Sequence, residues 1–280
     1  MRPRILSGFA RYFTFLLARL FWHVCFEGSA LRAKSLTLCA ASIAAAAAVF
    51  AIQALDANRN ALRQTVQDQC LVHWVHRHDP APCELVYLFG PPGESRGYAL
   101  LPDRKGGAHF LLIPIRSISG IESPELQQPG APNYFAAAWQ ARDRLATVIG
   151  HSVPRGAVGL AVNPVHARTQ DQLHIHIECL RPDVFAQLQA AAARITSTWS
   201  PVEIGGSGYN ALRIEGEDLN DANPFELLAK RLPRANHVMG DYTLVLAGMQ
   251  FKNGPGFILL AGSGRAGELL LDSTCAVARA

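Results

Sequence analysis

Apolar and polar positions along the chain follow two kinds of pattern, one before residue 56 and another after it. Residues 35–55 contain no charged side chain, and about 20 such residues are enough for a helix to cross a bilayer. From residue 57 onward the apolar positions recur at intervals of three and four, or of two, which are the periods of amphipathic helices and of strands. The pattern therefore predicts a transmembrane helix at 35–55 followed by a folded α+β region.

The charges that flank the uncharged segment predict its orientation. Residues 1–34 contain six basic residues and one acidic residue, whereas the whole chain has a net charge of +4. The positive-inside rule places such a segment in the cytoplasm, so the residues after about 56 are expected outside. Three alternatives stay open: a cleaved signal peptide, a buried Ala-rich helix, and a second span over 5–26, a segment that we otherwise expect to lie in the membrane interface.

The rest of the chain alternates between helical and extended segments. Apolar positions at helical spacing predict helices over 57–78, 133–149 and 182–199, and Asn223 with Pro224 marks the start of a short helix. The order of elements in the last 80 residues is compatible with a second, degenerate α+β unit. We therefore expect one region at 56–200 and a second at 201–280 that completes the fold. Strands are predicted over 84–89, 97–102, 109–115, 157–163, 172–180, 208–214, 242–248, 256–261 and 268–271.

Charge and cysteine content narrow the function classes. Beyond residue 34 the charges nearly balance, and no broad basic surface argues for nucleic-acid binding. Four cysteines lie in the predicted folded region, and none belongs to a CxxC pair that would suggest a zinc ribbon or a redox centre. Of the three pairings that four cysteines permit, we favour Cys70 with Cys83 and Cys179 with Cys275. Buried free thiols are the alternative.

A strand-like run at residues 170–180 carries the most informative side chains. Because it alternates apolar and polar residues, His174, His176 and Glu178 share one face of the predicted strand. The two imidazoles are then roughly 6.6 Å apart along the strand. Such a pair is typical of a metal site, of phosphoryl transfer by a histidine nucleophile, or of a solvated strand face. Spacing alone leaves all three open.

Three separated segments resemble the histidine-triad (HIT) superfamily of nucleotidyl hydrolases and transferases. They are the run from His109 to Pro114, Val162 with Asn163, and the histidine strand with its upstream Gln170. Further segments are similar to the bacterial CDP-diacylglycerol pyrophosphatase family. The resemblance implies a HIT-like antiparallel sheet with packed helices. Whether the C-terminal part forms a second, degenerate HIT-like half is left open. The further segments are LLIP (111–114), SGIESPEL (119–126), PNYF (132–135), AWQAR (138–142), RTQDQLHIHI (168–177) and RPD (181–183).

The resemblance implies a covalent mechanism without a metal or another cofactor. The middle histidine of the superfamily attacks phosphorus, so His176 is the expected nucleophile, with a neutral ring fixed by a backbone carbonyl. His174 would bond the phosphate or the leaving oxygen, and Asn163 and Gln170 would donate to non-bridging oxygens. His109 would brace the site or bind ribose.

A departure from the superfamily is Glu178, which occupies the position of the third histidine. We place it among the substrate-binding candidates, and its role stays open.

The expected reaction is hydrolysis of the diphosphate bond of CDP-diacylglycerol to CMP and phosphatidate through a cytidylyl-histidine. We expect a single-pass protein of the cell inner membrane with its catalytic region on the periplasmic side. Its expected partners are the lipid substrate and the membrane, with a homodimer as an open question. Two alternatives are another HIT-type hydrolase or CMP transferase, and a non-enzymatic, anchored nucleotide- or metal-binding module.

Overall fold

The computed structural model describes residues 45, 59–90, 96–104, 106–128 and 130–279. The chain divides into two compact units, Met1–Asn58 and Arg59–Ala280, and nearly all described residues belong to the second unit. Within the described part, no helix has both the length and the apolar composition needed to cross a membrane. The predicted transmembrane helix at 35–55 and the segment 1–34 lie outside the described residues, except for Ala45.

The second unit is built on one antiparallel sheet, to which ten strands of the described residues belong. The strands follow the order β1-β2-β3-β5-β4-β8-β9-β7-β6, and β10 pairs with β5 beside β3. The α+β class with a large antiparallel sheet is therefore confirmed. The strands are β1 (Leu85–Leu88), β2 (Gly97–Pro102), β3 (Phe110–Pro114), β4 (Val158–Val162), β5 (Ile175–Leu180), β6 (Ser200–Ile204), β7 (Ser207–Glu215), β8 (Tyr242–Phe251), β9 (Gly254–Ser263) and β10 (Leu271–Asp272).

The helices differ from the predicted ones mainly in where they end. The predicted helix at 133–149 is two helices, and the one at 182–199 stops at Ala191, before the β-branched and hydroxyl residues near 196. The predicted strand at 268–271 is mostly a 3₁₀ turn, Gly267–Leu270. The helices are α1 (Ala61–Gln64), which runs through a π-helical turn (Thr65–Cys70) into α2 (Leu71–Arg77), then α3 (Tyr134–Ala141), α4 (Arg144–Ile149), α5 (Pro182–Ala191), α6 (Pro224–Arg231) and α7 (Ala276–Arg279).

The two faces of the sheet are covered differently. On one face the side chains of every central strand join a single core with α3, α4 and α6, in which Trp139 and Phe225 are fully buried. On the other face there are two separate apolar clusters. One packs β1–β3 against the helical segment that contains Val66, and the other packs β8 and β9 against α5. The face of β5 that carries His176 lies between these clusters.

The sheet contains the same sequence of elements twice. In each unit two strands, one or two helices and two more strands follow one another along the chain. The first repeated unit has the order β2-β3-β5-β4 and the second repeated unit has the mirror order β8-β9-β7-β6, so the two repeated units meet where β4 pairs with β8. The position that β5 has in the first unit is occupied by β9 in the second. There the face that carries histidines on β5 carries Ile258 and Leu260, packed with α5.

Two disulfide bonds tie the N- and C-terminal parts of Arg59–Ala280 to the sheet. Cys70 is bonded to Cys83, and Cys179 of β5 is bonded to Cys275. The favoured pairing is confirmed, and no free cysteine is found among the described residues. The second bond connects β5 directly to the segment that follows β10.

Candidate active site

His176 is the second residue of β5 and has a neighbouring strand on each side. It is opposite Leu111 of β3 and Ala161 of β4, and its side chain is buried. Because Ile175 and Ile177 point into the large core, the strand period turns His176 to the opposite face. The imidazole is thus held on a rigid strand, on the face that lies between the two apolar clusters.

A second imidazole and a carboxylate contact the inner side of His176. The Nδ1 atom of His176 is 3.0 Å from Nε2 of His109, a hydrogen-bond distance, and the rings stack with centroids 5.2 Å apart. Oε1 of Glu178 is 3.2 Å from that Nε2 atom and 4.0 Å from Nδ1 of His176. We expected a backbone carbonyl at this position, whereas the structure places the imidazole of His109 there. All three side chains are buried.

His174 is close to His176 but has different partners. Its ring centroid is 5.1 Å from that of His176, and its Nδ1 atom is 2.7 Å from the carbonyl oxygen of Gln172. Since a carbonyl only accepts, Nδ1 carries the proton and donates. Burial lowers the pKa of His174 below its ordinary value, against the smaller opposing effect of this hydrogen bond. The neutral ring therefore presents Nε2 as an acceptor.

The outer nitrogen of His176 faces a residue that sequence reasoning missed. Oε2 of Glu268 lies 3.3 Å from Nε2 of His176. The backbone N–H of Glu268 donates to Oδ1 of Asn163 at 3.3 Å, so the predicted phosphate-binding asparagine holds the turn that carries this carboxylate. Glu268 belongs to the Gly267–Leu270 turn, and the only sequence signal there was the glycine-rich stretch that precedes it.

The predicted site residue Gln170 contacts a different part of the molecule. Its Oε1 atom accepts from the backbone N–H of Leu62, and its amide group donates to Thr169. Gln172 instead supports the histidines, since its amide donates to the carbonyls of Pro114 and Arg116 at 2.9 Å. The structure thus brings His109, His174, His176, Glu178 and Asn163 together around β5 and places Gln170 against the N-terminal helix.

A network of ion pairs fixes the loop that enters β5. Asp171 accepts two hydrogen bonds of 2.6 Å from Arg59, which lowers the pKa of its carboxyl group. Arg168 is bonded through both terminal nitrogens to Glu122, at 2.6 and 2.7 Å, and also approaches Asp171. These charge-assisted bonds hold the loop against the helical segment that begins near Arg59.

The inner cluster has the residue types of a metal centre. His109, His176 and Glu178 offer one ligand atom each, all within 4.8 Å of one another. Around a tetrahedral ion with bonds of about 2.1 Å, ligand atoms are roughly 3.4 Å apart. The 3.0 Å distance between the two imidazole nitrogens is instead that of a direct hydrogen bond. Chelation is therefore an alternative that an experiment must address.

Comparison with known proteins identifies the family of the chain. Residues 57–279 match a family model described as CDP-diacylglycerol pyrophosphatase. The chain belongs to this family. A curated CDP-diacylglycerol pyrophosphatase from Yersinia pestis is 38% identical over 251 residues, which are 86% of this chain and 93% of the relative. The region that matches the family model contains the whole histidine cluster and also Glu268. In the sequence, Glu268 is far from every motif that carried the resemblance.

Proposed function

We propose that this protein hydrolyses the diphosphate bond of CDP-diacylglycerol to CMP and phosphatidate. Membership of the family and the name of the relative support the substrate. The observation that carries the mechanism is the pair of contacts made by His176. Its Nδ1 atom contacts His109 and its Nε2 atom lies beside Glu268. A histidine held in this way has one nitrogen fixed by its neighbour, which leaves the other nitrogen to act as the nucleophile.

In the first step Nε2 of His176 attacks the phosphorus on the cytidine side. An N–P bond forms, and the bond from that phosphorus to the bridging oxygen breaks with its electron pair on phosphatidate. The ring keeps its Nδ1 proton against His109 and becomes positively charged. The carboxylate of Glu178, 4.0 Å from Nδ1, offsets that charge. This is the role that we assign to the residue standing in place of a third histidine.

In the second step water attacks the same phosphorus and the N–P bond breaks, which releases CMP. We assign the side-chain NH₂ group of Asn163 to the non-bridging phosphate oxygens, where charge concentrates during transfer. His174 is neutral and presents an acceptor, so we assign it to a hydroxyl group or a water rather than to phosphate. Gln170 receives no role in the chemistry.

We further propose that residues 35–55 anchor the chain in the inner membrane in a single pass, with the catalytic region in the periplasm. The disulfide bonds support an oxidising compartment. Exposed aliphatic side chains flank the candidate site: Leu269, next to Glu268, is 55% exposed and Val165, two residues after Asn163, is 40% exposed. Such residues fit contact with acyl chains at a bilayer surface.

The fold that we propose is of the histidine-triad type, with both halves in one chain. The repeated order of strands and helices on the two sides of the β4–β8 pairing supports this interpretation. The second half supplies strands and core rather than catalytic side chains. One copy of the chain thus completes the sheet, and a homodimer is not required for it.

The decisive experiment measures CMP and phosphatidate release from CDP-diacylglycerol in mixed micelles by the full-length protein. We expect His176→Ala to lower the rate at least about a thousandfold, because it removes the nucleophile. His151→Ala, at an exposed histidine outside the site, is the control and keeps the wild-type rate. Full activity of the His176 variant would disprove the covalent mechanism.

The same assay separates the alternatives. A binding module shows no turnover with any nucleotide. A metal-dependent hydrolase loses activity in EDTA and regains it with a divalent cation, whereas covalent histidine catalysis is insensitive to the chelator. Soluble nucleoside diphosphate esters as competing substrates would reveal another HIT-type activity.

A further inference from the structure

Beside the attacking nitrogen lies a carboxylate to which the mechanism above gives no role. We propose that Glu268 is the catalytic acid and base of the reaction, giving a proton to the departing phosphatidate and taking one from the attacking water. This inference rests on the proposed function, because it requires His176 to form the cytidylyl intermediate. Its starting point is the 3.3 Å distance between Oε2 of Glu268 and Nε2 of His176.

Glu268 and Glu178 occupy opposite sides of the His176 ring. Glu178 lies toward Nδ1, with a side chain that is 8% exposed, and is thus separated by the ring from any phosphorus bonded to Nε2. The side chain of Glu268 lies on the Nε2 side and is 32% exposed. Of these two carboxylates, only Glu268 is placed both at the reacting atom and in contact with solvent, where a base can exchange protons with water.

The turn that carries Glu268 is held close to the sheet. Gly267 sits so near to β4 and β8 that an added Cβ would be 2.3 Å from Oγ1 of Thr243 and 2.8 Å from a methyl group of Val245. Thr243 is itself buried and donates to the carbonyl of Val162 at 2.6 Å. Together with the hydrogen bond to Asn163, this seat fixes the backbone of Glu268 beside β5.

The steps balance with one proton. Before attack, Glu268 is protonated, Nε2 of His176 carries a lone pair and Nδ1 carries a proton. As the N–P bond forms and the bridging P–O bond breaks, Glu268 gives the proton to the leaving oxygen of phosphatidate. Water then attacks phosphorus, its proton goes to the Glu268 carboxylate, and the electron pair of the N–P bond returns to Nε2.

The two steps need Glu268 to different degrees. Phosphatidate is a phosphate monoester whose oxygen leaves readily even without a proton, whereas water is a poor nucleophile until a base removes its proton. Loss of the carboxylate should therefore slow the second step more than the first. The cytidylyl-enzyme then accumulates, which a purely structural role of Glu268 would not produce.

The test uses the full-length protein and CDP-diacylglycerol labelled in the cytidine. In Glu268→Gln we expect steady-state CMP release to fall by about 10²–10⁴-fold. A rapid release of phosphatidate, close to one per chain, and acid-labile label on the protein should accompany this loss. Glu268→Asp should recover part of the CMP release. Glu203→Gln, at an exposed glutamate on β6, is the matched control and should behave like the wild type.

Three results would overturn the proposal. The first is undiminished CMP release by Glu268→Gln, and the second is an equal loss of both products without retained label, which would indicate a structural role. The third is full activity of His176→Ala without label on the wild-type protein. That result would remove the covalent mechanism itself, so failure of the proposed function is distinguishable from failure of this inference.

Discussion

At the scale of single residues, two histidines two positions apart have different partners. His176 lies between His109 and Glu268, whereas His174 is paired with a backbone carbonyl. A carbonyl gives much less support to a positive charge than a carboxylate does. The hydrogen bond to the carbonyl thus does not outweigh burial, which lowers the pKa of His174 and keeps its ring neutral.

This lowered pKa predicts a dependence of stability on pH. Below 6.5, the ordinary value, the unfolded chain binds a proton at residue 174 more readily than the folded protein does. The free energy of unfolding therefore falls as the pH falls through this range and is independent of this residue at higher pH. Urea unfolding between pH 7.5 and 5 should show a shallower decline for His174→Gln than for the wild type. An equal decline in both proteins would contradict the prediction, and His151→Gln should keep the wild-type slope.

Most of the site residues that the sequence predicted belong to or directly border strands of the first repeated unit, and Gln170 is the exception. His109, Asn163 and the histidine run follow from strand periodicity and a resemblance to known motifs, and the structure places them together. Glu268 could not be found in this way, because a residue about 90 positions away reaches His176 only through the pairing of β10 with β5. The partners of Gln170 likewise depend on where the N-terminal helix packs.

At the scale of elements, the short 3₁₀ turn at Gly267–Leu270 has an unusually demanding position. It connects the end of the second repeated unit to β10 and passes directly over β4 and β8. A side chain larger than hydrogen at its first residue would meet Thr243, Val245 and Ala161, all of which are buried. The turn can approach the sheet this closely only with glycine at that position.

Gly267→Ala should therefore lower both stability and activity. Relief of the contacts requires the turn to move away from the sheet, at a cost of about 1–3 kcal/mol in the free energy of unfolding. Glu268 moves with the turn, so kcat should fall even under conditions where the variant is fully folded. Denaturant unfolding and CMP release measure the two effects. Gly208→Ala, where an added Cβ meets no atom within 4 Å, is the control, and similar behaviour of the two variants would refute the argument.

Element boundaries show where sequence periodicity stops being informative. Strands β2 and β3 lie within one residue of their predicted ends, because both have buried residues bounded by turns. Strand β6 was missed, since it lies at the edge of the sheet, contains Pro201 and buries only one of its five residues. Its residues lie between the helix predicted at 182–199 and the strand predicted at 208–214, and were assigned to neither.

At the scale of the whole molecule, the two disulfide bonds restrict very different lengths of chain. Cys70–Cys83 closes a loop with a sequence separation of 13, and Cys179–Cys275 closes one of 96. In the chain-entropy account, loops of about these lengths give roughly 3 and 4.7 kcal/mol of stability. The longer loop includes all of the second repeated unit.

Replacing Cys179 and Cys275 together by alanine should thus destabilise the protein more than replacing Cys70 and Cys83. The difference between the two double variants should be about 1–2 kcal/mol in the free energy of unfolding. Urea unfolding without reductant measures it, and the reduced wild type gives the reference in which both bonds are absent. Equal stabilities would show that strain or residual structure in the unfolded chain outweighs loop length.

The overall architecture was partly accessible from the sequence. The α+β class follows from alternating helix and strand periods, and the order of elements in the last 80 residues suggested a second unit. The join between the repeated units did not follow, because the pairing of β4 with β8 links segments more than 80 residues apart through paired residues that are all apolar. Such strands carry no polar alternation that would indicate their neighbours.

Helix α5 covers the face of β9 that corresponds to the histidine face of β5. Among the described residues, the duplicated architecture therefore has one proposed reaction centre. One chain supplies every side chain assigned to it. Under the proposed function, an inactive copy therefore takes nothing away from the active copies beside it. Liponucleotide breakdown should rise in simple proportion to the number of intact molecules, without dominance of a damaged allele over a sound one.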